Sequence, residues 1–250
     1  MQLTIKHPFL CLPVVSHPKD TRVLKLFDGE KLLLCVYFPF GEAAADNGTY
    51  SYEYLSPLPV SEWMGRTLTL SAEFPAGFED AVTQTDELPV SDEVHPAVHF
   101  TANAGWINDP NGLVYDNGTY HLYYQHNPFG VNWNNMSWGH ATSTDLLHWT
   151  RLPVAMLPDE EGTIGCGLTN EHRDEIQAAA DSNLYRSLPK DALLFCYTAA
   201  GGSHDSACSE GKDYTQHTAP IMVSLCRSFR EQLFRFSKQT TVTPRFIGTK

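Results

Sequence analysis

Gly105-Trp106-Ile107-Asn108-Asp109-Pro110-Asn111-Gly112 runs on into Leu113-Val114-Tyr115, Asp116-Asn117-Gly118 and Thr119-Tyr120-His121-Leu122-Tyr123-Tyr124. An Asn-Gly pair between runs of β-formers is a strong hairpin signal, so residues 113–115 and 119–124 read as paired strands. Upstream, Pro110 fixes its own φ and biases Asp109 away from the helical region, while Asn111-Gly112 tolerates positive φ. Residues 105–112 are therefore expected to form a tight, rigid loop. Trp106 and Ile107 would stand in the wall behind it, with the side chains of Asn108 and Asp109 projecting together. Such rigidity suits a nucleophile, which gains rate from being held in place. The other reading is a plain turn between strands, because turn residues cluster this way without any chemistry.

Working outward, Gln125-His126-Asn127-Pro128 leads to Asn132-Trp133-Asn134-Asn135-Met136-Ser137-Trp138-Gly139-His140-Ala141 and then to Ser143-Thr144-Asp145-Leu146-Leu147-His148-Trp149. Polar amides alternate here with indoles. A sugar site needs that mixture, because a sugar offers hydroxyls to Asn, Gln and His and an apolar C–H face to Trp. Each Trp taken singly is also readable as strand core.

Residues 106–112, Tyr123-Tyr124-Gln125 and Trp138-Gly139-His140-Ala141 resemble glycoside hydrolase family 32, the β-fructosidases that include invertases, levanases and inulinases. Pro158-Asp159-Glu160-Glu161-Gly162-Thr163 and Phe195-Cys196-Tyr197-Thr198-Ala199 extend the resemblance in the expected order, over roughly residues 98 to 202. The resemblance implies an all-β chain containing the first blades of a five-bladed β-propeller. It also implies hydrolysis of terminal β-fructosyl bonds of sucrose or fructans with retention of configuration. Asp109 matches the nucleophile. Asn108, Gln125 and Trp133 match positions that contact the fructosyl unit, and Trp106 is grouped with them for sugar binding. Family 32 chemistry uses carboxylates alone, so neither cofactor nor metal is expected.

A retaining glycosidase needs two carboxyl groups about 5 to 5.5 Å apart, one attacking the anomeric carbon and one protonating the leaving oxygen. The family supplies the rest through an Arg-Asp-Pro motif, whose Asp stabilises the transition state, and a Glu-Cys motif, whose Glu is the acid/base. Neither motif occurs in these residues. The only Arg-Asp pair, Arg173-Asp174, is followed by Glu175 and precedes the Tyr197-Thr198-Ala199 element, so it reads as part of a solvated segment. Glu160 and Glu161 lack the acid/base context. Ile164-Gly165-Cys166-Gly167-Leu168 replaces a Phe-Ser-Gly-like stretch of the family, residues 174–180 can form a short helix, and similarity is faint from Ser203 onward. The expectation is an N-terminal portion of a β-fructosidase with little or no activity as it stands. A non-catalytic carbohydrate-binding protein and a nonfunctional remnant are the alternatives.

At 42% hydrophobic and 18% charged residues the chain is globular, and a net charge of −12 disfavours a nucleic-acid partner, which needs a basic face. The longest apolar stretch, residues 32–40, reads as a buried strand and not a membrane span. The first residues make a poor secretion signal, with Lys6 alone and Pro8 and Pro13 interrupting the apolar region; a cytoplasmic location is therefore expected, although family members are often secreted. Cys11, Cys35, Cys166, Cys196, Cys208 and Cys226 follow no Cys-x-x-Cys spacing and read as buried or free thiols. The three Asn-x-Ser/Thr sites at Asn47, Asn117 and Asn135 read as turns, two of them being Asn-Gly.

Asp, Glu, Pro and Ser crowd residues 86–98, which suggests a boundary. Residues 1–95, with strands expected at 32–40, 50–55 and 66–72, would form an accessory antiparallel β-sandwich; residues 96–250 would hold roughly two blades and part of a third. An incomplete ring exposes a blade face and strand edges, so this chain alone is expected to aggregate or to need a partner.

Overall fold

The computed structural model describes residues 1–42, 49–89, 96, 98–158 and 181, and, as backbone strands, 163–167, 193–200, 221–227, 231–237 and 245–246. The described chain is nearly all β, and every strand pair in it is antiparallel. Among the described residues no helix is long and apolar enough to cross a membrane.

The first strands are β1 (Gln2–Thr4), β2 (Phe9–Val14), β3 (Asp20–Asp28), β4 (Lys31–Phe40), β5 (Tyr54–Pro59), β6 (Thr67–Ser71) and β7 (Thr83–Thr85). They form two sheets, ordered β1-β6-β3-β4 and β5-β2-β7. In β3, Leu24 and Leu26 are buried while their neighbours are partly exposed, the alternation that puts one face of a sheet on a core. Gly29, at φ 60°, opens the two-residue turn that returns β3 into β4. Leu10, Leu12 and Val14 of β2 meet Leu34, Val36, Phe38 and Phe40 of β4, so the two sheets share one core. Each fully buried Leu or Phe there stabilises the fold by about 1.5–3 kcal/mol. Compared with the expected strands, β4 and β6 fall where alternation puts them, but the strand expected at 50–55 lies instead at Tyr54–Pro59. Tyr50 is buried beside it, and its hydroxyl accepts a hydrogen bond from the Gly41 N–H at 2.7 Å. Cys11 is a free buried thiol as expected, whereas Cys35 is disulfide-bonded, which its lack of a spacing motif did not foretell.

A second sheet system begins with β8 (Trp106–Asp116), β9 (Thr119–Asn127), β10 (Ser137–Ser143) and β11 (Thr150–Met156), a four-stranded meander ordered β11-β10-β9-β8. This is the kind of sheet a propeller blade is built from. Asn117 (φ 46°) and Gly118 (φ 87°) make the β8–β9 turn, both left-handed as a two-residue hairpin of this type requires. A further sheet follows in sequence order: β12 (Thr163–Gly167), β13 (Leu193–Ala200), β14 (Ile221–Arg227), β15 (Glu231–Ser237) and β16 (Arg245–Phe246). β12 lies against β8 and β10. The expected helix at 174–180, Arg173-Asp174 and Glu160-Glu161 lie outside the described residues.

The β9–β10 connection joins the first sheets to the meander. Phe129, 1% exposed, enters the core of the first two sheets, its ring 5.8 Å from that of Phe38. Asn135 bridges to β4: its Oδ1 accepts from the Tyr37 N–H at 2.9 Å, and its Nδ2 donates to the Tyr37 carbonyl at 2.8 Å. The Tyr54 hydroxyl donates to the Pro128 carbonyl at 3.2 Å.

Candidate active site

The expected tight loop at residues 105–112 is not there. Residues 106–116 form one continuous strand, β8, with its register against β9 shifted between Ile107 and Pro110 and again between Pro110 and Gly112. Pro110 is accommodated because β8 is the edge of its sheet and the irregularities remove the need for a ladder N–H at that position. Neither Asn111 nor Gly112 takes positive φ; the left-handed residue is Gly105, at φ 79°. A Cβ on Gly105 would lie 2.3 Å from the Asn127 carbonyl oxygen, so close approach of two backbones requires glycine there. The Asp-Pro pair is thus held by a bulged strand, and a bulge re-aims side chains as a loop would.

Asp109 is exposed on this strand, as is Asn108. The Asn108 Nδ2 donates to Gln125 Oε1 at 3.2 Å, so two of the expected sugar-contacting residues are in direct contact across β8 and β9. Gln125 is only 4% exposed. With its amide turned to receive them, Asn111 Oδ1 accepts from the Gln125 N–H at 3.2 Å and from the Trp138 Nε1–H at 2.9 Å. Asn111 therefore ties β8, β9 and β10 together one residue beyond Pro110. Trp106 is half-buried opposite Asn127, and its carbonyl accepts from His126 Nδ1 at 2.9 Å. Burial pushes His126 down to about 4, so the ring is neutral at pH 7 with its proton on Nδ1. Trp133 stands apart from that contact on the β9–β10 connection, 57% exposed.

Behind Gln125 lies a ladder of buried rings. Tyr123 stacks on His140 at 4.3 Å, and His121 Nδ1 meets His140 Nε2 at 3.2 Å. Desolvation pushes His140 down to about 3, and His121 is lowered for the same reason. On the β10–β11 turn, Asp145 accepts from the Leu147 and His148 N–H groups and lies 2.7 Å from His148 Nδ1, which arranges a surface turn. Among the described residues no three His, Cys, Asp or Glu side chains converge to hold a metal ion.

Residues 99–200 match the model of the glycosyl hydrolases family 32 N-terminal domain. This segment is a family 32 segment. It is 50% identical over 101 residues to a levanase of Bacillus subtilis, covering 40% of this chain and 14% of the levanase. An extracellular exo-inulinase of Aspergillus niger is 63% identical over 59 residues, covering 24% of this chain and 11% of its own. A sucrose-6-phosphate hydrolase of Zymomonas mobilis is 46% identical over 97 residues, covering 37% of this chain and 19% of its own. The chain thus spans less than a fifth of the length of each of these relatives. A solved glycoside hydrolase family 32 structure from Bifidobacterium adolescentis superposes at a TM-score of 0.39 and 21% identity, over 96% of this chain and 40% of that one.

Within the family 32 segment, sequence reasoning passed over Asn111, His126, Asn127 and Asn135 as supports of the site. Asn111 was read as a turn former. His126 and Asn135 carry no local signal, because they act on a backbone group across a strand and 98 residues away, respectively, whereas Asn127 acts within its own connection, on the Asn132 carbonyl and the Phe129 N–H.

Proposed function

We propose that this chain forms the nucleophile-bearing part of a retaining β-fructofuranosidase acting on sucrose or fructans. Asp109 is the nucleophile, and Asn108, Gln125, Trp106 and Trp133 bind the fructosyl unit. One observation carries the reading: Asp109 is presented to solvent from a bulged edge strand, beside an Asn108 already hydrogen-bonded to Gln125. Attack of the Asp109 carboxylate on the anomeric carbon would form a fructosyl ester, with the bond to the leaving oxygen breaking. The levanase, exo-inulinase and sucrose-6-phosphate hydrolase names of the relatives support the substrate class.

No Glu-Cys acid/base motif occurs in these residues, so protonation of a sugar leaving group is the missing step. General acid catalysis is worth about 10² to 10⁴ fold, and fructose release from sucrose, inulin or levan is expected to be slow by that factor. A donor whose leaving group needs no proton bypasses the deficit. The test is a β-fructofuranosyl donor of that kind, followed by peptide mapping. A fructosyl ester on the peptide holding Asp109, absent from Asp109→Ala, supports the assignment. Sugar binding with no ester and no release favours a carbohydrate-binding protein without turnover, and normal invertase-like release from sucrose would overturn the expected deficit. The absence of a nucleic-acid partner remains part of this proposal, resting on the net charge of −12.

A further inference from the structure

Trp133 is 57% exposed, yet the connection that carries it is hydrogen-bonded on both sides of it. Six residues before it, Asn127 uses both ends of its amide within the same connection: Nδ2 donates to the Asn132 carbonyl at 2.9 Å, and Oδ1 accepts from the Phe129 N–H at 3.0 Å. Phe129 is buried in the core of the N-terminal sheets. Two residues after Trp133, Asn135 is 3% exposed and makes two hydrogen bonds to the backbone of Tyr37, while Nδ2 also lies 3.4 Å from Asn127 Oδ1. Asn135 has φ 44°, a conformation in which Asn is one of the few tolerated side chains. The connection starts at Asn127, directly opposite Trp106, so it rises from the end of β8 that leads into Asn108 and Asp109.

We infer that the N-terminal sheets position Trp133, acting through Asn135 on β4 and through Phe129 in the shared core. Asn135 is a positioning residue here: it fixes the direction of the indole and touches no substrate. An indole that contacts a sugar face gains affinity from being fixed before binding, since less conformational freedom is then lost. The sugar-binding consequence rests on the function proposed above; the positioning itself does not.

Asn135→Gly removes both bonds to Tyr37 while keeping a residue at ease with φ 44°, so it separates the clamp from backbone strain. The chain carries five Trp residues, and with 5-fluorotryptophan their ¹⁹F resonances are resolved in dilute solution, that of Trp133 being identified by Trp133→Phe. The expected result is a shifted or broadened Trp133 resonance in Asn135→Gly, with those of Trp63, Trp106, Trp138 and Trp149 unmoved. Phe129→Leu, which keeps most of the buried volume, should move it less. Fructose titrated into the same samples should bind the variant roughly threefold to tenfold more weakly. An unmoved Trp133 resonance overturns the inference. So does a change spread over all five, which would report general unfolding. A Trp133 resonance that responds to Asn135→Gly in a chain that binds no fructose supports the positioning and counts against the sugar-binding function.

Discussion

Phe129→Ala is expected to be the most damaging single truncation on the β9–β10 connection. The ring is 1% exposed and packs 5.8 Å from Phe38, inside a cluster that also holds Phe40 and Phe78. Removing a buried Phe typically costs about 3–5 kcal/mol, the lost transfer energy plus the cavity left behind. Phe38 and Phe40 belong to β4, which is held by its pairing with β3, so the site has little room to collapse and the upper half of that range is expected. For a chain of this size about 1 kcal/mol corresponds to 2–4 °C, which puts the fall in Tm at about 8 to 20 °C. The measurement is thermal unfolding followed by far-ultraviolet and by tryptophan signals together. Phe129→Ala should separate the two signals relative to the wild-type chain, because the side chain is a link between the first sheets and the β8–β11 meander. A loss below about 1 kcal/mol, or a variant that still melts in one coincident transition, would refute the view that Phe129 couples the two sheet systems.

Stability should also fall with acid. His126 and His140 titrate near 4 and 3 in the fold, and His121 is lowered as well, against an ordinary value of 6.5. The unfolded chain therefore binds more protons than the native one below pH 6.5. The contribution is fully present above that pH and is lost as the pH falls toward 4 and then 3, at about 1.4 kcal/mol per pH unit for each of His126 and His140. Urea midpoints between pH 7 and 4 should fall steeply, and His126→Gln should flatten the slope; an unchanged slope would show that His126 does not carry its share. The exposed Asp145–His148 pair is screened by solvent and is expected to add little. Gly139→Ala should destabilise by about 1–3 kcal/mol through overpacking, since its Cβ would stand 2.3 Å from the Tyr124 ring, and Tyr124→Leu should relieve part of that loss. Additive effects in the double variant would show that the ring is not the obstacle.

Much of the candidate site is readable along the chain because its determinants are local. The Asn117-Gly118 hairpin follows from two residues that accept positive φ between alternating β-formers. The order of the Asp109, Gln125 and Trp138-Gly139-His140-Ala141 stretches suffices to mark family 32, whatever the backbone around them does. Asp109 and Pro110 are different: their composition suits a tight turn, yet they lie in a strand. Pairing with β9 supplies the hydrogen bonds a turn would otherwise have made internally, and the free edge of β8 tolerates Pro110. In the same way, nothing near Phe129 or Asn135 in sequence announces that one would fill a core built by residues 5–78, or that the other would clamp Tyr37, 98 residues away. Turn chemistry, strand alternation and motif identity are set by neighbours within a few residues, and the sequence alone determined them. Which edge is free, which core is shared and how the exposed Trp133 is held depend on contacts between distant segments, and only the tertiary structure decided those.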